Sequence, residues 1–323
     1  MPVGRVGPGG ANRRGAGIRW GRTYFAVQAL AGVAWWLGVF TTPFVRDTTL
    51  GDLDPVLVAA FDIPLFVVAS AVAAFGVKPA AVLATGWTGV VTAGLALYAT
   101  ITSEAGWGVI AMLGAAAGSA AALCLVLLGR IPTEWAVRGP FAFRPAAGAP
   151  TATTHVASTA KQIAVFWGFF LVVLPLLAAA LEHRWALSVP FPAFALPVGV
   201  AVLAAASALG IWSAYVMSTL GSGTPLPSRM PNVLVIAGPY RWVRNPMAVA
   251  GIVQGAAVGL ILSSWLVVGY AVAGSLVWNY IIRPHEEADL EQRFGDAFRA
   301  YRRAVRCWLP RKPATTVTYW ANS

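Results

Sequence analysis

GPYRWVRNPMAVAGIVQG at 238–255 and RPHEEADLEQRFGDAFRAYRRAVRCWLP at 283–310 are joined by a stretch without a single charge. Arginines, paired glutamates and aromatics therefore stand at both ends of an apolar hairpin. The apolar run is long enough to enter a bilayer, and the charged clusters at its ends are held at one level by the turn between its arms. Working outward from this stretch, the remainder of the chain reads as membrane scaffold.

The chain has 323 residues, of which 58% are hydrophobic and 11% charged, with a mean hydropathy of +0.69. That composition belongs to membrane proteins rather than to two soluble domains. Near-chargeless segments recur at about 23–45, 56–76, 80–101, 108–129, 162–181, 193–218, 246–263 and 265–282, eight in all, and each has roughly the length a helix needs to cross a hydrocarbon core of about 30 Å. The expected fold is all-α: a polytopic bundle of about eight transmembrane helices followed by a C-terminal cytoplasmic amphipathic helix.

With the N-terminus placed inside, 21 of the 23 lysines and arginines fall on the cytoplasmic side and only Arg46 and Arg184 outside. Such a bias sets orientation and puts both termini in the cytoplasm. The net charge of +11 is thus a topology signal, since no basic run interleaved with aromatics marks a nucleic-acid partner. The excess of arginine over lysine, with abundant Ala and Gly, is the composition of a GC-rich bacterial genome and points to a bacterial cytoplasmic membrane.

Five regions are expected. Residues 1–22 form a disordered basic arm, 23–130 a four-helix N-terminal extension, 131–160 a Pro- and Gly-rich cytoplasmic linker, 161–312 the membrane core with its C-terminal helix, and 313–323 a tail. Cys124 and Cys307 lie in opposite surroundings and are not expected to pair.

Asp62, just before Pro64, has two readings. A carboxylate at membrane depth is costly and so a candidate proton or ligand site. Alternatively it satisfies backbone groups freed by the proline or sits near an interface. If Asp62 and the first four helices carry the function, the chain is a transporter or a structural bundle.

Asn245-Pro246 opens a helix, Asn as cap and Pro at the first position. The free N–H groups there, flanked by Arg241 and Arg244, suit a carboxylate or phosphate, although charge anchoring and an ordinary cap explain the same residues. Gly251, Gly255 and Gly259 bare one face of that helix, either for a neighbouring helix or for a flat ligand. Pro284 is expected to open another helix, with Glu286, Glu287 and Asp289 near its positive end. The two glutamates serve the helix dipole, or pair with Arg241 and Arg244, or hold a cationic ligand group. His285-Glu286 resembles half of a zinc helix, but the second histidine is missing and no metal site is expected. Leu290, Phe294, Phe298, Tyr301 and Val305 share one helical face, which should lie on the membrane surface and close over the hairpin.

Taken together, GPYRWVRNPM, the apolar hairpin, E-x-x-L-x-x-x-F-G, later aromatics and W-L-P resemble the C-terminal core of the isoprenylcysteine carboxyl methyltransferase family, related to membrane phospholipid methyltransferases, over about 224–311. The resemblance implies an S-adenosylmethionine pocket near the cytoplasmic face and transfer of a methyl group to a lipophilic acceptor. That acceptor would be a carboxylate, amine or thiol of a lipid or isoprenoid-like molecule. It carries over Gly238, Pro239, Tyr240, Arg241, Arg244, Pro246, Glu287, Leu290, Phe294, Gly295 and Tyr301. The implied donor-binding set is Leu234, Gly238, Pro239, Tyr240, Arg244, Asn245, Pro246, Glu286, Glu287 and Tyr301, with Arg241, Arg244 and Glu287 as the catalytic candidates. Where the family often reads R-H-P-x-Y, this chain has Arg244-Asn245-Pro246-Met247-Ala248, and Phe298 stands where a tyrosine is common. Those departures leave a reductase-like or lapsed enzyme on the same fold as the alternative.

Overall fold

The computed structural model describes residues 8–137, 152–187, 189–221 and 232–310, and all regular structure among them is helical. Residues 138–151 of the expected linker, the proline-rich connector before Asn232 and the tail lie outside the described residues. Twelve α-helices follow in order among them: α1 (Pro8–Thr41), α2 (Pro43–Thr49), α3 (Pro55–Asp62), α4 (Ala69–Ala74), α5 (Lys78–Thr102), α6 (Gly106–Leu128), α7 (Ala152–Trp167), α8 (Leu174–Arg184), α9 (Ala195–Leu220), α10 (Pro246–Ile261), α11 (Trp265–Val277) and α12 (Arg283–Ala304).

Among the described residues, seven helical stretches are long and apolar enough to cross a membrane. Their outer faces carry large apolar side chains, such as Leu30, Leu97 and Val165, each more than 60% exposed, as lipid-facing surfaces do. The chain is an integral membrane protein. Of the eight expected spans the one at 246–263 is α10, and it is shorter: Pro246 and the turn at Ser263 confine it to 16 residues, or about 24 Å of helix against a core of about 30 Å.

The chain divides into two compact units, Met1–Pro132 with Leu181–Ser188, and Thr133–Ala180 with Val189–Ser323. In the first, α1 lies along α6 and α4, while α5 pairs with α6. Where a disordered arm is expected over 1–22, the helix already begins at Pro8. Its glycines explain the difference. Side chains at Gly17 and Gly21 would strike the backbone of Gly129 and Ala122, so their absence lets α1 pack closely along the end of α6. Arg22 adds a side-chain bond to the Ala74 carbonyl at the end of α4 (2.8 Å).

Asp62 is buried in this unit and bonds two indoles, Trp36 Nε1 at 2.9 Å and Trp87 Nε1 at 2.8 Å. It makes no capping bond to the backbone freed by Pro64, which instead enters a π-helical turn over Ile63–Val68. A second buried group, Gln28, joins Ser70 (3.0 Å) and Ser119 (2.7 Å). Arg184, near the end of α8, caps the carbonyls of Thr100 and Ile101 at 2.6 Å each, where α5 terminates.

In the second unit α9 and α10 form the most extensive pairing, with Gly199 against Ala257 and Gly210 against Ala250 and Trp167. The glycine stripe on α10 serves helix packing at two of its three positions: Gly255 faces Ala271 and Gly259 faces Val268. Pro284 does not open a new helix. α11 continues through a π-helical turn, Trp278–Ile282, into α12, forming one 40-residue rod. Within that turn the Arg283 N–H reaches back to the Trp278 carbonyl. The next bond in that pattern would come from Pro284, which has no N–H, and the Arg283 Nε approaches the Asn279 carbonyl instead (3.4 Å). The rod bends at Gly295 (φ 52°, ψ −123°), a conformation closed to residues with a Cβ. Beyond the bend, Phe298, Tyr301 and Val305 bury themselves with Leu234 and Ile236, so the apolar face of α12 covers a protein segment rather than only a lipid surface.

Replacing Asp62 with leucine removes the acceptor from two indole N–H groups. At about 1–3 kcal/mol for each buried donor left unpaired, the expected loss is about 3 kcal/mol. Trp87→Phe should cost about 1 kcal/mol, since it deletes the donor too. Thermal unfolding of the detergent-solubilised protein measures both, and an unchanged midpoint for Asp62→Leu would contradict the assignment.

Candidate functional site

Two short turns bring the charged clusters together. Gly238–Arg241 forms a 3-10 turn whose first residue has φ +53°, where a side chain would strike Val216. Asn245 then caps α10, its side-chain oxygen accepting from the Ala248 N–H at 3.1 Å, with Pro246 buried at the first helical position. Arg244 stands between these turns, opposite the start of α12.

Arg244 has four contacts. Its Nη2 bonds Glu287 at 2.9 Å, its Nη1 bonds the carbonyls of Arg302 (2.8 Å) and Val305 (2.9 Å), and its backbone N–H bonds the Arg306 carbonyl (3.0 Å). Its Nε is buried and has no acceptor among the described residues. Glu287 also lies 4.0 Å from Arg283, which stands one helical turn earlier. Its neighbour Glu286 receives Asn245 Nδ2 at a longer 3.3 Å. Two guanidiniums and two carboxylates thus meet at one place, with the charges of Glu287 better compensated than those of Glu286.

These groups line a small cavity of about 40 Å³. Of the residues implied by the sequence, Arg244, Asn245, Glu286, Glu287 and Tyr301 line it, together with Leu290 and Phe298. The others stand around it without lining it. Tyr240 lends its carbonyl to the Tyr301 hydroxyl (2.7 Å), and Leu234 packs in the cluster beneath Tyr301. Gly238, Pro239 and Pro246 shape the backbone, and Arg241 is exposed at the end of its turn. Burial pushes the Tyr240 phenol well above its usual pKa, with Tyr301 and Glu286 adding to the effect, so this hydroxyl stays protonated and neutral at ordinary pH.

Three lining residues escaped the sequence reading: Trp278, Arg283 and Cys307. Arg283 carried a usable signal, because it precedes Glu287 by four residues in a helix. Trp278 and Cys307 carried none, being brought there by the continuous rod and by the chain folding back after α12. Burial raises the Cys307 thiol, against the opposing pull of Arg283 and Arg244, which disfavours the reactive thiolate. His285, the half zinc motif, bonds Thr133 Oγ1 at 3.0 Å.

Residues 194–297 match the family model described as phospholipid methyltransferase. This family falls in the same superfamily as the isoprenylcysteine carboxyl methyltransferases, the resemblance expected from the sequence over about 224–311. The matched stretch runs from just before α9 into the second half of α12 and contains Arg244, Asn245, Glu286 and Glu287. Comparisons with curated proteins and with solved structures gave no match.

Arg244→Ala would leave Glu287 with only the more distant Arg283 and strip the Arg302 and Val305 carbonyls of their side-chain donor. An expected cost of about 3 kcal/mol follows from breaking a largely buried pair. Arg244→Lys keeps the charge but not the fork and should cost about half as much. Thermal unfolding of the two variants side by side checks the order.

Proposed function

We propose that this protein is a membrane methyltransferase that uses S-adenosylmethionine to methylate a lipid acceptor, and that the cavity around Arg244 and Glu287 is part of its donor site. The family match over 194–297 supports the activity class. The single observation that carries the site is the buried Arg244 Nε without an acceptor, inside that match and beside two carboxylates.

The donor set suits an amino-acid moiety in its chemistry. A carboxylate would take the unpaired Arg244 N–H, and an ammonium would take Glu286, whose only bond to Asn245 is long. Volume is a separate matter: about 40 Å³ holds little more than one water, so the site widens when a ligand enters. When bound, S-adenosylmethionine supplies a sulfonium-activated methyl group.

The protein's own part is positioning and exclusion of water. Glu287 holds the Arg244 guanidinium in plane, and Asn245 holds both the start of α10 and the Glu286 carboxylate. Phe298, Leu290 and Trp278 keep the cavity wall apolar. A dry wall favours a reaction in which an anionic or neutral nucleophile meets a cationic donor and charge is dispersed. The nucleophile is an oxygen, nitrogen or sulfur of a lipid or isoprenoid-like molecule. Ala248 and Phe298, where bulkier or more polar residues are common in the family that the stretch resembles, give the acceptor side its own shape. Asp62, held by two indoles, takes no part in this reading.

Calorimetry of the purified protein with S-adenosylhomocysteine tests the proposal. Saturable binding is expected, weakened at least tenfold, or about 1.4 kcal/mol, by Glu287→Gln and by Arg244→Lys. Absence of saturable binding to the unaltered protein would overturn the donor reading, and full binding by both variants would overturn the site.

A further inference from the structure

After α12 the chain turns back as a strap, Val305–Pro310, which contributes Cys307 to the cavity lining. The two ends of this strap are held very differently. At its root, Arg244 bonds the carbonyls of Arg302 and Val305 by its side chain and that of Arg306 by its backbone, at 2.8–3.0 Å. Val305 is also packed in the buried cluster with Phe298 and Tyr301. Toward its tip, among the described residues, Trp308 Nε1 donates to Asn279 Oδ1 at 2.8 Å, the Cys307 thiol meets the Arg283 side chain, and Trp308 makes an edge-to-face contact with Trp278, with centroids 5.1 Å apart. Leu309 and Pro310 are exposed.

A cavity of about 40 Å³ cannot admit a nucleoside-sized ligand unless part of its wall moves. Trp278 belongs to the continuous rod of α11 and α12, and Arg244 and Glu287 are paired with each other. Cys307 is the lining residue carried by the less firmly held end of the strap. Its latch partner, Asn279, lies in the π-helical turn, where the pattern of backbone bonding is already interrupted before Pro284.

We propose that Cys307–Pro310 is a gate over the cavity, pivoting at Arg306 and latched by Trp308 on Asn279, which opens to admit the methyl donor and closes over it. The identity of the ligand, and with it the need for the wall to move, rests on the reading given under Proposed function; the unequal anchoring of the strap does not. Because Arg244 both anchors the pivot and lines the cavity, a ligand that engages Arg244 is linked directly to the strap's root. Closure buries Cys307, and opening exposes it, so the protein contains its own reporter.

The test uses the full chain in detergent with Cys124→Ser, leaving Cys307 as the remaining thiol, and follows its rate of reaction with a water-soluble maleimide. Trp308→Phe keeps a ring and deletes the donor, and Asn279→Ala deletes the acceptor. Each is expected to speed labelling about three- to tenfold, the range set by one hydrogen bond, and the double variant no more than either alone. S-adenosylhomocysteine is expected to slow labelling in all of them. Labelling of Trp308→Phe and Asn279→Ala at the unaltered rate would overturn the gate. An accelerated rate in both variants that S-adenosylhomocysteine leaves unchanged would support the gate and overturn the donor as its ligand.

Discussion

The guanidinium of Arg244 is the constraint on which the C-terminal unit depends. It sits where the end of a 3-10 turn, the cap of α10, the acidic start of α12 and the returning chain after α12 all converge. A single planar fork bonds a carboxylate on one side and two carbonyls on the other. Lysine could supply the charge but not the simultaneous directions. The partly buried pair with Glu287 is 12% and 21% exposed, so its value lies less in net stability than in fixing one arrangement of four segments. The same geometry leaves one N–H unused, which makes an architectural residue a candidate for binding.

Proline placement governs how the helices end or continue. Pro246, after Asn245, begins a helix because its missing N–H is one that no helix start uses. Pro284 has the same local look, followed by acidic residues, yet it lies inside a rod. The difference comes from Trp278–Ile282, where the wider π-helical turn takes up the disturbance and the Arg283 side chain partly replaces the lost donor. Pro64 is accommodated in the same manner by the π turn at Ile63–Val68. Continuity at Pro284 has a chemical consequence, since it sets Trp278, Arg283 and Glu287 on successive turns of one helix facing one cavity.

The N-terminal unit shows how polar side chains are housed among apolar helices. Asp62 finds two indole donors from different helices, and Gln28 finds two hydroxyls. Neither pairing is visible from local spacing, because the partners lie 25 or more residues apart. Glycine has a comparable double meaning at 8–22: in composition it suggests disorder, whereas against α6 it allows an approach that orders the helix.

Helical class, membrane residence, the cap at Asn245-Pro246 and the meeting of Arg244 with Glu287 were legible in the chain itself. They depend on hydropathy over a helical length, on the missing N–H of proline, and on charges placed at one end of a hairpin. Five of the expected site residues line the cavity, whereas Arg241 does not, because the 3-10 turn directs it outward although it stands only three positions from Arg244. Tertiary structure alone decided the inclusion of Trp278 and Cys307, the bend at Gly295 and the indole cage of Asp62. Cys307 and the indole cage require segments distant in sequence to be brought into contact, which is set by packing that no local pattern encodes. Trp278 and the bend follow from how the helix runs through Pro284 and breaks at Gly295.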